Sequence, residues 1–318
     1  MAIPRSHHYV PAFYLEGFAD PLASKQGTKP ILWVYERGRE IRKSSPHNEG
    51  HERDFYAYEA DGRMHHDLEF ALSQVESIAA PILKRLGDEG FSFAHLDKRN
   101  VSSFVAVMFL RGPAGRTLLE KSAESSIRTI AQRNVKDGEK FEAAYEKFKE
   151  GSDVKVSREE IQDFVLGDAF RVKIPRIRLL SLMKECMLHV GGRLAEMNCQ
   201  IWHSDGRESF LTSDNPVFSV LRQSDDKVSI GWGLALPGVE VFFPVSARTC
   251  LRFGGRVRDG LEMVQARSVR TVNRMTMISA RRFVYAPWRS AKTVKLFDKI
   301  GGRIRYDRDV FQLPHVFD

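Results

Sequence analysis

The sequence predicts an α+β fold, a largely helical middle set between N-terminal β-hairpin elements and a C-terminal antiparallel sheet. Three observations carry that expectation. Residues 31–42 hold two short β-prone runs around a glycine turn, residues 64–197 repeat apolar positions at helical spacing, and beyond Cys199 short strand-like runs alternate with turn residues. The chain is expected to form a single domain over 1–318, with an N-terminal motif and small β elements (1–62), a helical region (63–198) and a basic β-plus-helix portion (199–318).

The opening run, Ser6-His7-His8-Tyr9-Val10-Pro11-Ala12-Phe13-Tyr14-Leu15-Glu16-Gly17-Phe18, places two adjacent imidazoles before an aromatic-rich, helix-compatible segment. Terminal segments left unanchored are polar and frayed, so Tyr9, Val10, Phe13, Tyr14, Leu15 and Phe18 mark one that docks on a core. Ile31-Leu32-Trp33-Val34-Tyr35 and Glu40-Ile41-Arg42 then read as a hairpin turning at Gly38. Asp54-Phe55-Tyr56-Ala57-Tyr58 reads as another strand, ended by Asp61-Gly62.

Leu68, Leu72, Val75, Ala79, Ile82 and Leu83 predict an amphipathic helix over residues 64–86 that must tolerate or kink at Pro81. A second, central helix over 96–110 carries Val101, Phe104, Val105, Met108 and Phe109 and stops at Arg111-Gly112-Pro113. Helical patterns continue over 114–134, 140–149, 158–166 and 175–197. The Lys- and Glu-rich interval 134–157 is the least apolar stretch and reads as an exposed excursion or lid. Strands are expected over 200–203, 209–212, 217–220, 228–231, 239–243 and 249–253, then a helix over 267–280, a strand over 283–286 and a last helix over 290–300 before Gly301-Gly302.

Composition narrows the classes. The 318 residues suffice for a sizeable core. Cys186, Cys199 and Cys250 are an odd number without CxxC spacing, against both a disulfide framework and a thiolate zinc site, and a reducing cytoplasm is the expected compartment. The longest apolar runs fall far short of the ~20 residues of a membrane span, and no secretory leader pattern opens the chain. The net charge of +8 is uneven: residues 248–308 hold sixteen Lys or Arg against four acids. Such a block attracts polyanions by counterion release, so nucleic acid is the expected partner, beside the plainer reading of a solvated basic face.

Several side chains are candidates for chemistry. His7 and His8 can ligate a metal, relay a proton or bond a carbonyl, and neighbours in extended chain point apart, so one of them enters a given site. His65 and His66 open the 64–86 helix, where exposed polar residues are the default. Glu69 and Glu76, seven apart, share a face of that helix at a spacing of roughly 10 Å and suit a hard cation or a general base as well as plain solvation. Arg111, at a helix C-terminus, either compensates the helix dipole or clamps a phosphate. In Phe210-Leu211-Thr212-Ser213-Asp214-Asn215-Pro216-Val217 a strand breaks and resumes; Asp214 and Asn215 serve a turn, or Asp214 serves as metal ligand or base.

The HHYVP opening and the TSDNPV block together resemble the bacterial domain-of-unknown-function family 4238, which has no assigned activity. That resemblance implies that the fold brings the two blocks together, and it favours acidic residues on the helix after the first β elements and an arginine near Arg111 and Arg116 as parts of the pattern. There is no GxxxxGK[ST], GxSxG, HExxH or strand-linked GxGxxG, which leaves ATPase, α/β-hydrolase, zincin and dinucleotide-dehydrogenase readings without support.

Two functional expectations follow. One is a metal-dependent phosphodiesterase acting on nucleic acid: His7, His8, Glu69 and Asp214 hold Mg²⁺ or Mn²⁺, Glu76 orients water, Arg111 stabilises phosphate charge with Asn215 beside Asp214, and the 248–308 region holds the backbone. The other is a non-catalytic module that binds nucleic acid or a protein partner, in bacterial stress or phage defence, with the motifs as fold determinants. An enzyme acting on a small phosphorylated substrate is a third.

Overall fold

The computed structural model describes residues 5–22, 27–88, 90–152, 154–167, 170–222, 228–231, 233–234 and 236–301. In chain order the elements are β1 (Ser6–His8), α1 (Ala12–Glu16), β2 (Leu32–Glu36), β3 (Arg42–Ser44), β4 (His51–Arg53), β5 (Tyr58–Ala60) and β6 (Arg63–His65). Helices α2 (Asp67–Arg85), α3 (His95–Leu110), α4 (Pro113–Lys136), α5 (Gly138–Gly151), α6 (Arg158–Leu166) and α7 (Arg176–Glu196) follow. Then come β7 (Asn198–Ser204), β8 (Thr212–Ser213), β9 (Phe218–Arg222), β10 (Val228–Ile230), β11 (Val239–Pro244), β12 (Thr249–Gly254), β13 (Gly260–Val264), α8 (Ala266–Ser279), β14 (Phe283–Ala286) and α9 (Ala291–Gly301). The architecture is α+β, as the periodicities predict.

Among the described residues the strands form a six-stranded sheet in the order β10-β9-β11-β12-β7-β13, a four-stranded sheet β3-β2-β14-β8, and the pairs β1-β4 and β5-β6. The four-stranded sheet joins the two ends of the chain, since β2 near the N-terminus pairs antiparallel with β14, with Val34 opposite Tyr285. Tyr35, Val284 and Ala286 on these strands, with Leu211, Met277 and Ile300, form a core that α8 and α9 cover.

Three elements depart from the periodicity, each for a visible reason. The strand expected at 54–58 is a turn: Asp54 sits at φ 53°, a left-handed conformation, and pairing begins only at Tyr58, across a hairpin closed by Asp61 and Gly62. The strand expected over 209–212 shrinks to Thr212–Ser213 because a side chain takes over its ladder. Asn273 of α8 accepts from the Leu211 N–H at 2.9 Å and donates to the Ser209 carbonyl at 2.8 Å. Strand β13 carries no alternation to read, as four of its five residues are exposed; it pairs parallel to β7 along the sheet edge. Pro81 sits inside α2 at an exposed position without ending the helix.

The chain divides into two compact units, Met1–Arg116 with Leu180–Asp318, and Thr117–Leu179. The smaller unit contains the interval expected as an exposed excursion, and Gly138–Gly151 within it is helical. Phe141 and Tyr145 of α5 are its buried anchors, Arg158 lies 4.6 Å over the Tyr145 ring, and Ser157 and Glu160 close a capping box on α6. Within the larger unit the opening segment is anchored as its aromatics predict. Tyr9 and Val10 both donate to the Gly50 carbonyl, and Tyr14 stacks on Phe243 at 5.2 Å.

Candidate functional site

The candidate residues of the larger unit fall into two groups: an internal polar cluster built by the two motifs, and an open basic groove. The cluster starts from strand alternation, because β1 turns His7 inward, fully buried, and leaves His8 partly exposed. The Tyr56 N–H donates to His7 Nδ1 at 3.0 Å, and the two rings stack at 5.7 Å. With Nδ1 accepting, neutral His7 carries its proton on Nε2, which lies 3.3 Å from His66 Nδ1. His66 therefore accepts through Nδ1. Its place here overturns the expectation of an exposed helix-start residue, for His66 is half-buried against His7 with the rings edge-on at 5.3 Å.

Arg111 closes α3 with 1% of its side chain exposed. Its guanidinium donates to Glu76 Oε1 at 2.5 Å, to the His8 carbonyl at 2.5 Å and to the Tyr56 hydroxyl at 3.2 Å, while that hydroxyl donates back to the Arg111 carbonyl at 2.9 Å. Burial opposes the charge, yet Tyr56 and Glu76 outweigh it and keep the arginine pKa above its ordinary value. Burial in turn pushes the Tyr56 phenol up to about 12, although Arg111 pulls the other way. So enclosed and so bonded, Arg111 is not placed as a phosphate clamp; it ties β1 to α2 and α3. Glu69, two turns before Glu76, has its carboxyl pKa raised by burial, and its Oε2 is buried with no hydrogen-bond partner among the described residues.

Asp214 is 5% exposed and serves the backbone. Its Oδ1 accepts from the Arg281 N–H at 2.8 Å, and its Oδ2 from those of Arg282 and Phe283 at 2.7 and 3.1 Å, at the entry to β14. Burial lifts this carboxyl to about 6 in spite of those three donors. Asn215 donates to the Ser279 carbonyl at 3.0 Å, tying the same turn to the end of α8. His8 donates from Nε2 to the His47 carbonyl at 3.3 Å, and burial holds its pKa below the ordinary value. Among the described residues no three or more His, Cys, Asp or Glu side chains are grouped to hold a metal ion. The expected set of His7, His8, Glu69 and Asp214 thus does not fit Mg²⁺ or Mn²⁺ as a ligand cage: both nitrogens of His7 and both oxygens of Asp214 already face partners inside the protein.

The two motifs nevertheless meet. Tyr14, from the opening block, lies 2.6 Å from Thr212 Oγ1 and donates to the Pro244 carbonyl at 2.6 Å, and a Cβ on Gly112 would fall 3.5 Å from the Asp214 carbonyl and 3.9 Å from the Tyr9 ring. A family model described as a protein of unknown function (DUF4238) matches residues 6–290, nearly the whole chain and both motifs. The chain belongs to the DUF4238 family. No curated protein and no solved structure matches it. In this DUF4238 protein the hallmark blocks are joined by the buried Tyr14–Thr212 hydrogen bond.

An open groove of this DUF4238 chain lies between α8 and α9, inside the basic stretch. The groove, of about 820 Å³, is lined by Arg267, Arg270 and Arg274 from α8 and by Lys292, Lys295 and Lys299 from α9. Each trio is spaced i, i+3, i+7, so each helix presents one cationic stripe. Leu211, Met277, Ile278 and Leu296 line the groove beneath them. Glu208 is its lining acid and is held by Arg270 and Lys292, both at 3.3 Å. Arg267, Arg274, Lys295 and Lys299 form no ion pair among the described residues. The sequence marks the basic region 248–308; the two stripes and their sharing of one groove are what folding adds. No described helix is long and apolar enough to cross a membrane.

Proposed function

We propose that this protein binds nucleic acid through the groove between α8 and α9, as a binding module whose motifs hold the fold. The carrying observation is the pair of facing cationic stripes, six Lys and Arg around one already paired acid. Cations without acid partners keep condensed anions nearby, and a phosphate backbone that replaces those anions releases its own counterions, which drives association. Each stripe rises about 10 Å, roughly three nucleotides of a B-form strand. The internal bonding of Arg111, His7 and Asp214 favours binding over hydrolysis, since the groups expected to act on phosphate already serve the fold.

Fluorescence anisotropy of a labelled oligonucleotide across about 50 to 200 mM salt tests the reading. Four phosphate contacts give a slope of log K against log salt near −3 for a single strand, a loss of about 50-fold over that range. The double variant Arg274→Glu, Lys299→Glu should weaken binding at least tenfold and flatten the slope, with the circular dichroism spectrum unchanged. Unaltered affinity and slope in that variant, or no binding by the wild-type chain, rejects the proposal.

A further inference from the structure

The shape of the groove narrows the nucleic acid it takes. Helices α8 and α9 pack on one another, and their stripes line one groove as two rails of positive charge. Between them the groove is concave, and the apolar side chains that reach its surface are the partly buried Ile278 and Leu296, packed over the buried Leu211 and Met277. A duplex offers two phosphate rows across a groove that is itself concave, and proteins that read it insert a convex helix or ribbon. Against the α8–α9 groove a duplex presents its charged phosphate rows while its base faces stay stacked inside, which leaves Ile278 and Leu296 without apolar contact. A single strand has no such conflict. Its phosphates reach a rail while its unstacked bases, which are flat and weakly polar on their faces, bury apolar surface against Ile278 and Leu296.

We infer that the ligand of this groove is single-stranded nucleic acid, held by backbone charge on the stripes and by base contact with the aliphatic base of the groove. The inference rests on the nucleic-acid-binding reading. Charge acts alike on every sequence and an aliphatic surface has no donors or acceptors to select a base, so binding is broadly sequence-tolerant.

The test compares one labelled DNA strand with the same strand annealed to its complement, titrated with the full-length protein at one fixed salt concentration. The expected result is at least tenfold tighter binding of the single strand. Equal or tighter binding of the duplex overturns this inference while leaving nucleic-acid binding in place, whereas failure of both probes to bind removes the underlying reading as well. A second measurement separates base contact from charge. Ile278→Ser and Leu296→Ser, each confirmed as folded by circular dichroism, should weaken the single strand several-fold with the salt slope unchanged. Full affinity in both folded variants would show that the base of the groove touches nothing and would overturn base contact.

Discussion

Substitution of Asp214 separates a fold determinant from a chemical group, because its carboxylate accepts three backbone N–H groups of residues 281–283 from a position 5% exposed. Removing it orphans all three. A buried donor left unmade costs about 1–3 kcal/mol, so Asp214→Ala should lose about 3–9 kcal/mol, a large part of a typical domain's stability. Asp214→Asn is milder. An amide oriented to keep its oxygen for Arg282 and Phe283 turns its NH₂ toward the Arg281 N–H, which loses one bond at about 1–3 kcal/mol. The pH dependence gives an independent sign. Burial raises the carboxyl from 3.8 to about 6, so the native state binds the proton more tightly than the unfolded chain. The contribution of Asp214 is therefore full below pH 3.8 and declines as pH rises through 6, by about 3 kcal/mol in all. Urea denaturation of wild type and both variants at pH 5 and 7 reads these quantities; the gap between wild type and Asp214→Ala should widen at pH 5 by about 1 kcal/mol. An Asp214→Ala protein as stable as wild type, or a gap that narrows on acidification, refutes the reasoning.

Two further perturbations probe the same construction. Arg111→Met leaves Glu76 without its buried cation and the His8 carbonyl without its donor, and should destabilise by about 3–5 kcal/mol in chemical denaturation. Gly50 holds φ at +65°, and a Cβ there would lie 2.7 Å from the Val10 Cβ, so Gly50→Ala should lower the melting temperature through a loss above about 1 kcal/mol while Gly38→Ala, with open space around it, should lose less.

Much of the fold was legible because it follows from local pattern. The apolar positions of α2 and α3 repeat at 3.6 residues, and those helices run Asp67–Arg85 and His95–Leu110, close to the expected limits. What escaped was long-range substitution of one backbone partner by another. Nothing local to Ser209-Phe210-Leu211 says that Asn273, more than sixty residues on, will supply the hydrogen bonds of a neighbouring strand. The same limit governed the site. His7, Glu76 and Arg111 were marked as chemically notable by residue type and position, but Tyr56, which bonds both His7 and Arg111, was read only as part of a strand. His66 was set aside as exposed because its partner lies 59 residues away.

The contrast between the two polar regions carries the functional argument. A buried charge is tolerated when its donors and acceptors find partners, and a group so partnered is held by several kcal/mol against release. Arg111 meets that condition with Glu76, Tyr56 and a carbonyl, and Asp214 meets it with three N–H groups, so recruiting either to a ligand means breaking the contacts that fix β1, α3 and β14. The α8 and α9 cations stand under the opposite condition. Arg274, Lys295 and Lys299 are exposed and their mutual repulsion favours any anion that enters the groove. Occupation there requires no rearrangement of the core, because α8 and α9 are anchored from beneath by Met277 and Ile300. The motifs thereby secure the platform, and the stripes are its accessible chemistry.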